Sequence, residues 1–133
     1  MLGVDVSEPL IGAARQNASG RTNVRFVLGD ASQQKIERGF DVLFSRFGVM
    51  FFDDPVVAFT NVREATRSGG RLAFMCWRGP EENPLFASGF GVLEAATDSA
   101  AAFAPQPGVP GPVAFAEPGH VRGVLEGSGW RDV

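Results

Sequence analysis

The chain has 133 residues, 44% hydrophobic and 20% charged, with a formal net charge of −3, enough for one domain with a core and too little for two. The acidic balance gives no electrostatic case for nucleic acid or an anionic membrane as partner, and no apolar run approaches the roughly 18 residues of a membrane span. No basic-then-apolar leader opens the chain, and the single cysteine, Cys76, has no partner for an internal disulfide, which together predict a cytoplasmic setting.

Residues 2–6, LGVDV, are short, apolar and β-branched, and predict a buried strand. Ser7 follows as a helix N-cap, with Glu8 and Pro9 in the first turn. Leu10, Ile11, Ala14 and Ala18 form that helix's apolar stripe, and Ser19 and Gly20 its stop. Val24, Phe26 and Leu28 alternate in a second strand over residues 23–28, ended by Gly29 and Asp30. Residues 31–38 are polar and predict one or two loose helical turns. A third apolar strand covers residues 40–45, and an apolar loop, RFGVMFF, follows over residues 46–52.

Asp53, Asp54 and Pro55 then start a helix predicted to run to about residue 67. Val57, Ala58, Val62 and Ala65 face inward on it, and Ser68, Gly69 and Gly70 end it. Residues 71–77, RLAFMCW, predict a fourth strand. Beyond Trp77 the pattern changes. Residues 84–96 read as a helix rich in Phe, Gly and Ala, and residues 104–118 as a proline-rich irregular loop. A last short helix opens at Glu117 or Pro118, with Val121, Val124 and Leu125 inward and a stop at residues 127–129. Residues 130–133 look like the start of a further strand. Alternation of strands and helices over residues 1–77 predicts an α/β fold: a mostly parallel open sheet with flanking helices.

Ligands of such sheets sit beyond the C-terminal strand ends. Asp5 and Asp30 occupy two of those ends, and Ser45, Arg46 and Phe47 leave a third. A carboxylate offers two oxygens to the two vicinal hydroxyls of a ribose. Position alone leaves Asp5 either such a ligand or a cap for the next helix, and Asp30 either a ligand or a turn residue. The two acids together, with an apolar loop after the next strand, describe a place for a ribose and a purine. Phe44 and Phe74, on strands, read as core, as does Cys76. His120 falls in the first turn of the last helix and reads as exposed. Asp53 and Asp54 read as helix caps, with no third residue nearby to hold a metal.

The segments LGVDVSEPLIGAARQNA, VRFVLGDASQ and FDVLFSRFGVMFFDDPVVAFTNVREATRSGGRLAFMCWR resemble, in order and spacing, successive parts of class I S-adenosylmethionine-dependent methyltransferases. GHVRGVLEGSGWRDV resembles the region before that family's last strands. The resemblance implies a Rossmann-like fold and S-adenosylmethionine as cofactor. It implies that Asp5 holds the ribose hydroxyls and Val6 packs on the adenine. Asp30 would accept from the adenine amino group, beside the backbone of Ala31. Ser45 and Arg46 would line the methionine side. Phe47, Met50, Phe51 and Phe52 would form wall between cofactor and substrate. Trp77, at a strand end, reads either as touching substrate or as packing. No catalytic side chain and no metal is implied.

The family's central first strand and its glycine-rich turn have no counterpart before Leu2. The expectation is therefore one partial domain over residues 1–133, with cofactor-side βα units in 1–78 and substrate-side elements in 79–133. Its sheet is expected to lack the central strand, and the chain to be truncated at both ends and impaired in activity. The acceptor is expected to be a small molecule. Two alternatives stay open: a non-catalytic remnant that self-associates or binds partners through unpaired strand edges, and an NAD-dependent Rossmann oxidoreductase.

Overall fold

The structure is a computed structural model that describes residues 1–84, 88, 89, 92, 96, 106 and 108–133. Strands β1 (Leu2–Asp5) and β2 (Arg25–Leu28) pair in parallel, Leu2 opposite Arg25 and Asp5 opposite Leu28. Strands β3 (Phe40–Arg46) and β4 (Thr66–Met75) form a second parallel pair, with Val42 opposite Arg71 and Arg46 opposite Met75. These are two separate two-stranded sheets. The α/β organisation is as expected, and the sheet is divided into two pairs where the central strand was expected to be missing.

Local chemistry sets the helix boundaries. Helix α1 (Glu8–Asn17) starts at Ser7, whose Oγ accepts from the Leu10 N–H at 3.4 Å. Helix α2 (Pro55–Ala65) starts at Asp54, whose Oδ1 accepts from the Val57 N–H at 3.0 Å, with Pro55 at the first helical position. Helix α3 (Pro118–Gly127) ends at Ser128, whose buried Oγ donates to the carbonyls of Val124 and Leu125. No helix among the described residues is long and apolar enough to cross a membrane.

The core lies on one face of the β3–β4 sheet, under α2 and α3. Phe59 is fully buried at its centre, with Phe74, Phe115 and Phe52 rings at 5.6, 6.0 and 5.8 Å. Trp130 Nε1 donates to the Phe59 carbonyl at 3.2 Å, which closes the core from the C-terminal side. Leu43, Leu72 and Phe74 face this core from the strands. The opposite face of the same sheet exposes Val42, Phe44 and Met75.

Several expectations are corrected by this packing. β1 is half-buried rather than buried, and Val6 lies beyond its end, exposed. Of the α1 stripe only Ile11 is buried, and Leu10 is exposed. Of the loose helical turns expected over residues 31–38, one forms, closed by the Gln34 N–H donating to the Asp30 carbonyl at 2.6 Å, and residues 35–38 are irregular. On α2 the inward face carries Phe59, and Val57 points to solvent. Ser68, Gly69 and Gly70 do not terminate α2. They lie inside β4, which begins at Thr66, and its pairing jumps from Thr66 to Arg71 while β3 advances only from Phe40 to Val42.

The glycines are required there. Gly69 has φ +74°, and a Cβ on Gly70 would meet the Thr66 Cγ2 at 2.3 Å and the Asp41 carbonyl at 3.1 Å. Cys76 and Trp77 follow the end of β4. The expected helix over residues 84–96 and the start of the proline-rich loop lie largely outside the described residues. The end of that loop is core: Val113, Ala114, Phe115 and Ala116 are all buried. Residues 130–133 form no strand, because Asp132 turns the chain with φ +56°.

Candidate functional site

A cleft of about 590 Å³ runs between β1 and β3. Its walls include Asp5, Val6, Asp30, Ala31, Ser45 and Arg46, so the residues expected to face the cofactor share one cavity. Phe47, Phe51 and Phe52 line the same cleft. The volume lies within the range of about 300–1,000 Å³ usual for small-molecule sites.

The two acids arrive there by parallel pairing. Asp5 ends β1 and lies opposite Leu28 on β2, two residues before Asp30. Asp5 Oδ1 accepts from the Ser7 N–H at 2.8 Å, so its carboxylate orders the chain entering α1. Oδ2 accepts no hydrogen bond among the described residues, which leaves it for a hydroxyl donor. Asp30 Oδ1 accepts from the Ser32 N–H at 2.8 Å, and Oδ2 from Gln33 Nε2 at 3.3 Å. Hydrogen bonds from the Ser32 side chain and backbone hold the Asp30 carboxyl below its ordinary range, against a small opposing effect of burial. Asp30 is thus an ionised acceptor fixed in place by its own loop.

Residue Asn61, on α2, was not singled out by the sequence and positions this loop. Its Nδ2 donates to the Ala31 carbonyl at 2.8 Å and to the Gln34 carbonyl at 3.0 Å. No local pattern signals this role; an inward amide on an otherwise apolar helix face is the only clue.

The aromatic residues separate into different roles. Phe47 stacks on Trp77, with ring centroids 4.6 Å apart and planes at 11°. Its backbone is left-handed, at φ +58°, an uncommon conformation for a bulky residue. Among the described residues Trp77 is not part of the cleft lining, and it stacks on Phe47, which is. Phe51 is exposed at the cleft, while Phe52 leans edge-on against Phe59. Met50 is corrected: it is 1% exposed and belongs to the core, because the Val49–Phe51 turn folds it under the loop at residues 111–116. The Gly111 N–H donates to the Met50 carbonyl at 3.0 Å, which fastens that loop over it.

Phe44 is corrected the other way. Expected in the core, it is 66% exposed and lines the cleft. Val4, Leu10, Phe40 and Val42 also line it and were not expected to. The available signal was a strand apolar at consecutive positions, which requires cover on both faces. His120 is exposed beside the Phe115 ring. Cys76 Sγ lies 3.6 Å from the Phe115 carbonyl, and burial raises its pKa. Among the described residues no group of acids, histidines and cysteines could hold a metal ion.

S-adenosylmethionine can be tested against this donor set. Two acceptor carboxylates, the apolar Val6 surface and the Ala31 backbone fit a ribose and an amino-bearing purine. The nucleoside half of the cofactor therefore fits the residues present.

Comparison with known proteins agrees with this geometry. The family model described as a methyltransferase domain matches residues 1–74. An S-adenosylmethionine-dependent methyltransferase from Mesorhizobium loti is 27% identical, with a TM-score of 0.50 over 55% of this chain and 34% of that one. The CcbJ methyltransferase from Streptomyces caelestis is 26% identical, with a TM-score of 0.50 over 59% of this chain and 34% of that one. A protein from Bacillus halodurans, 21% identical, shares the fold over 96% of this chain and 52% of its own, with a TM-score of 0.62. The chain thus spans between about a third and a half of the length of these structures. No curated protein matches the sequence. The matched segment holds both strand-end acids and the strands that carry them, and the chain belongs to the methyltransferase-domain family.

Proposed function

We propose that the cleft binds S-adenosylmethionine and serves methyl transfer to a small, partly apolar acceptor. The observation that carries this reading is the placement of Asp5 and Asp30 at neighbouring parallel strand ends on one cavity, which Val6 and Ala31 also line. When bound, the cofactor supplies an electrophilic methyl group on a sulfonium. Asp5 would hold ribose hydroxyls through its free oxygen. Asp5 is exposed in the open cleft, so its preference for the ribose hydroxyls would come from the charge-assisted hydrogen bonds themselves. Asp30 would accept from the purine amino group, and Val6 would cover the ring. Ser45 and Arg46, which line the same cleft, would face the methionine side. Phe47 and Phe51 offer apolar surface to the acceptor, and positioning rather than a protein base would supply the rate.

Calorimetric titration of the 133-residue chain with S-adenosylmethionine and, separately, with NAD tests the reading. Binding of the first and not the second is expected. Asp5→Ala should weaken it by about ten- to a hundredfold, the loss of one or two charge-assisted hydrogen bonds, and His120→Ala should leave it unchanged. Binding of NAD alone would sink the proposal.

A further inference from the structure

A second groove, of about 450 Å³, lies where the end of α1 meets β2. Its lining includes Arg15, Arg21 and Arg25 around the half-buried Ala18, Val24 and Phe26, and it shares no residue with the cleft. Residues 9–29 contain no acid, in a chain whose net charge is −3. The groove is thus a local patch of positive charge on an acidic protein. Its floor is the Phe26 ring, packed close over β1: a Cβ on Gly3 would meet Phe26 Cδ1 at 2.7 Å. Two of the arginines have duties in the fold. Arg25 and Gly29 donate their N–H groups to β1, so the Phe26 carbonyl points away from β1. Arg15, in the last turn of α1, donates one guanidinium N–H to that carbonyl at 3.0 Å. Arg25 pairs with Glu37, both side chains being exposed. Arg21 has no such duty. It is exposed between α1 and β2, and its side chain makes no hydrogen bond or ion pair among the described residues.

We propose that this groove docks a short acidic segment of a partner protein, its carboxylates on the arginines and an apolar side chain on the Phe26 floor. A guanidinium presents its N–H donors in a planar fork that matches a carboxylate, and Arg15 spends only one of them within the fold. Arg21 keeps its whole fork for the ligand. The half-buried floor between the charges suits an apolar residue flanked by acids rather than a bare anion. Charge complementarity also limits the ligand's length. A long polyanion such as a nucleic-acid strand would run off this patch onto the surface of an acidic protein, whereas a short acidic segment ends within it. Arg15 already occupies the outward Phe26 carbonyl, so the contact runs through side chains and not through an added strand. Because the groove and the cleft are separate, the proposal stands apart from the assignment of methyl transfer.

NMR titration of the full 133-residue chain with the synthetic peptide acetyl-SEEFEEG-amide tests it. Expected is association with a Kd of about 0.1–1 mM, with amide shifts at Ala18, Arg21, Val24 and Arg25 and none at Asp5, Asp30 or Phe47. Arg21→Ala should weaken the association by about fivefold or more. Arg131→Ala, which removes an exposed arginine elsewhere, should leave it unchanged. Glu37→Gln releases Arg25 and should tighten it by about twofold, while Glu126→Gln, which removes the same charge from α3, should not. Equal binding of acetyl-SQQFQQG-amide would overturn the role of charge. Equal losses in Arg21→Ala and Arg131→Ala would overturn the site, as would no shift at the groove amides with peptide at about 2 mM. Larger shifts at the same amides from an oligothymidylate of about eight nucleotides than from the acidic peptide would overturn the assigned partner in favour of nucleic acid.

Discussion

Asn61 Nδ2 lies 2.8 Å from the Ala31 carbonyl, and this contact fastens the loop behind Asp30 to helix α2. A second bond from the same amide to the Gln34 carbonyl, at 3.0 Å, fixes the loop at two points. Through it the β1–β2 sheet is tied to the core beneath β3 and β4. Asn61→Ala would leave the part-buried Ala31 carbonyl and the exposed Gln34 carbonyl without this donor, a loss of about 1 kcal/mol. The expected outcome is a lower thermal midpoint and weaker S-adenosylmethionine binding. Asn61→Asp should fare no better, since a carboxylate cannot donate to either carbonyl. Differential scanning fluorimetry with and without the cofactor checks both.

A reversal of the usual order of substitution is expected at Phe47. Its left-handed backbone costs a residue with a Cβ roughly 1–2 kcal/mol, and its ring stack on Trp77 returns about 0.5–1.5 kcal/mol beyond buried area. Phe47→Ala loses the stack and keeps the strain. Phe47→Gly loses the stack and relieves the strain. Urea unfolding should therefore rank the glycine variant above the alanine variant by about 1 kcal/mol. The opposite ranking would show that the φ of this residue is not a source of strain.

The sequence made visible whatever is encoded locally. Ser7 and Asp54 announce their helices because a cap acts within three residues. Asp5 and Asp30 were legible because a strand end is marked by the break in an apolar run. Misreadings arose where distant partners decide. Ser68, Gly69 and Gly70 carry a strong stop signal, yet β3 pairs with Thr66 and Arg71 on either side of them, so they lie as an irregularity inside the strand. Met50 and Phe44 exchanged their expected places because burial depends on which face of β3 has cover. Phe44 occupies the face that α2 does not reach, and Met50 sits under a loop more than 60 residues away in sequence. The Asn61 contact joins residues on separate elements and has no local signature.

The Asp30 carboxyl gives the domain a defined acid response. Its pKa is lowered in the folded chain, chiefly by Ser32 hydrogen bonds. A depressed folded pKa stabilises the fold above the unfolded value, about 3.9, and that contribution is lost as pH falls through the lower folded value. The thermal midpoint of the wild type should therefore fall between pH 5 and roughly pH 3 by more than that of Asp30→Asn. The Ser32→Ala variant, which removes the hydroxyl donor, should lie between them. Parallel curves for wild type and Asp30→Asn would show that this carboxylate has no linkage to folding.

Two phenylalanines on opposite sides of the β3–β4 sheet should differ sharply in what their loss costs. Phe59 is fully buried among Phe52, Phe74 and Phe115. Truncation to alanine leaves a cavity and forfeits about 3–5 kcal/mol. Against a total of roughly 5–15 kcal/mol for a domain, that is enough to unfold much of the population. Phe44 is mostly exposed on the uncovered face. Phe44→Ser should change stability by only about 0.5 kcal/mol, and by removing an exposed ring it should raise solubility. Near-ultraviolet circular dichroism and urea unfolding of the two variants side by side check the contrast. A Phe44 variant as unstable as the Phe59 variant would mean that the outer face is covered in solution.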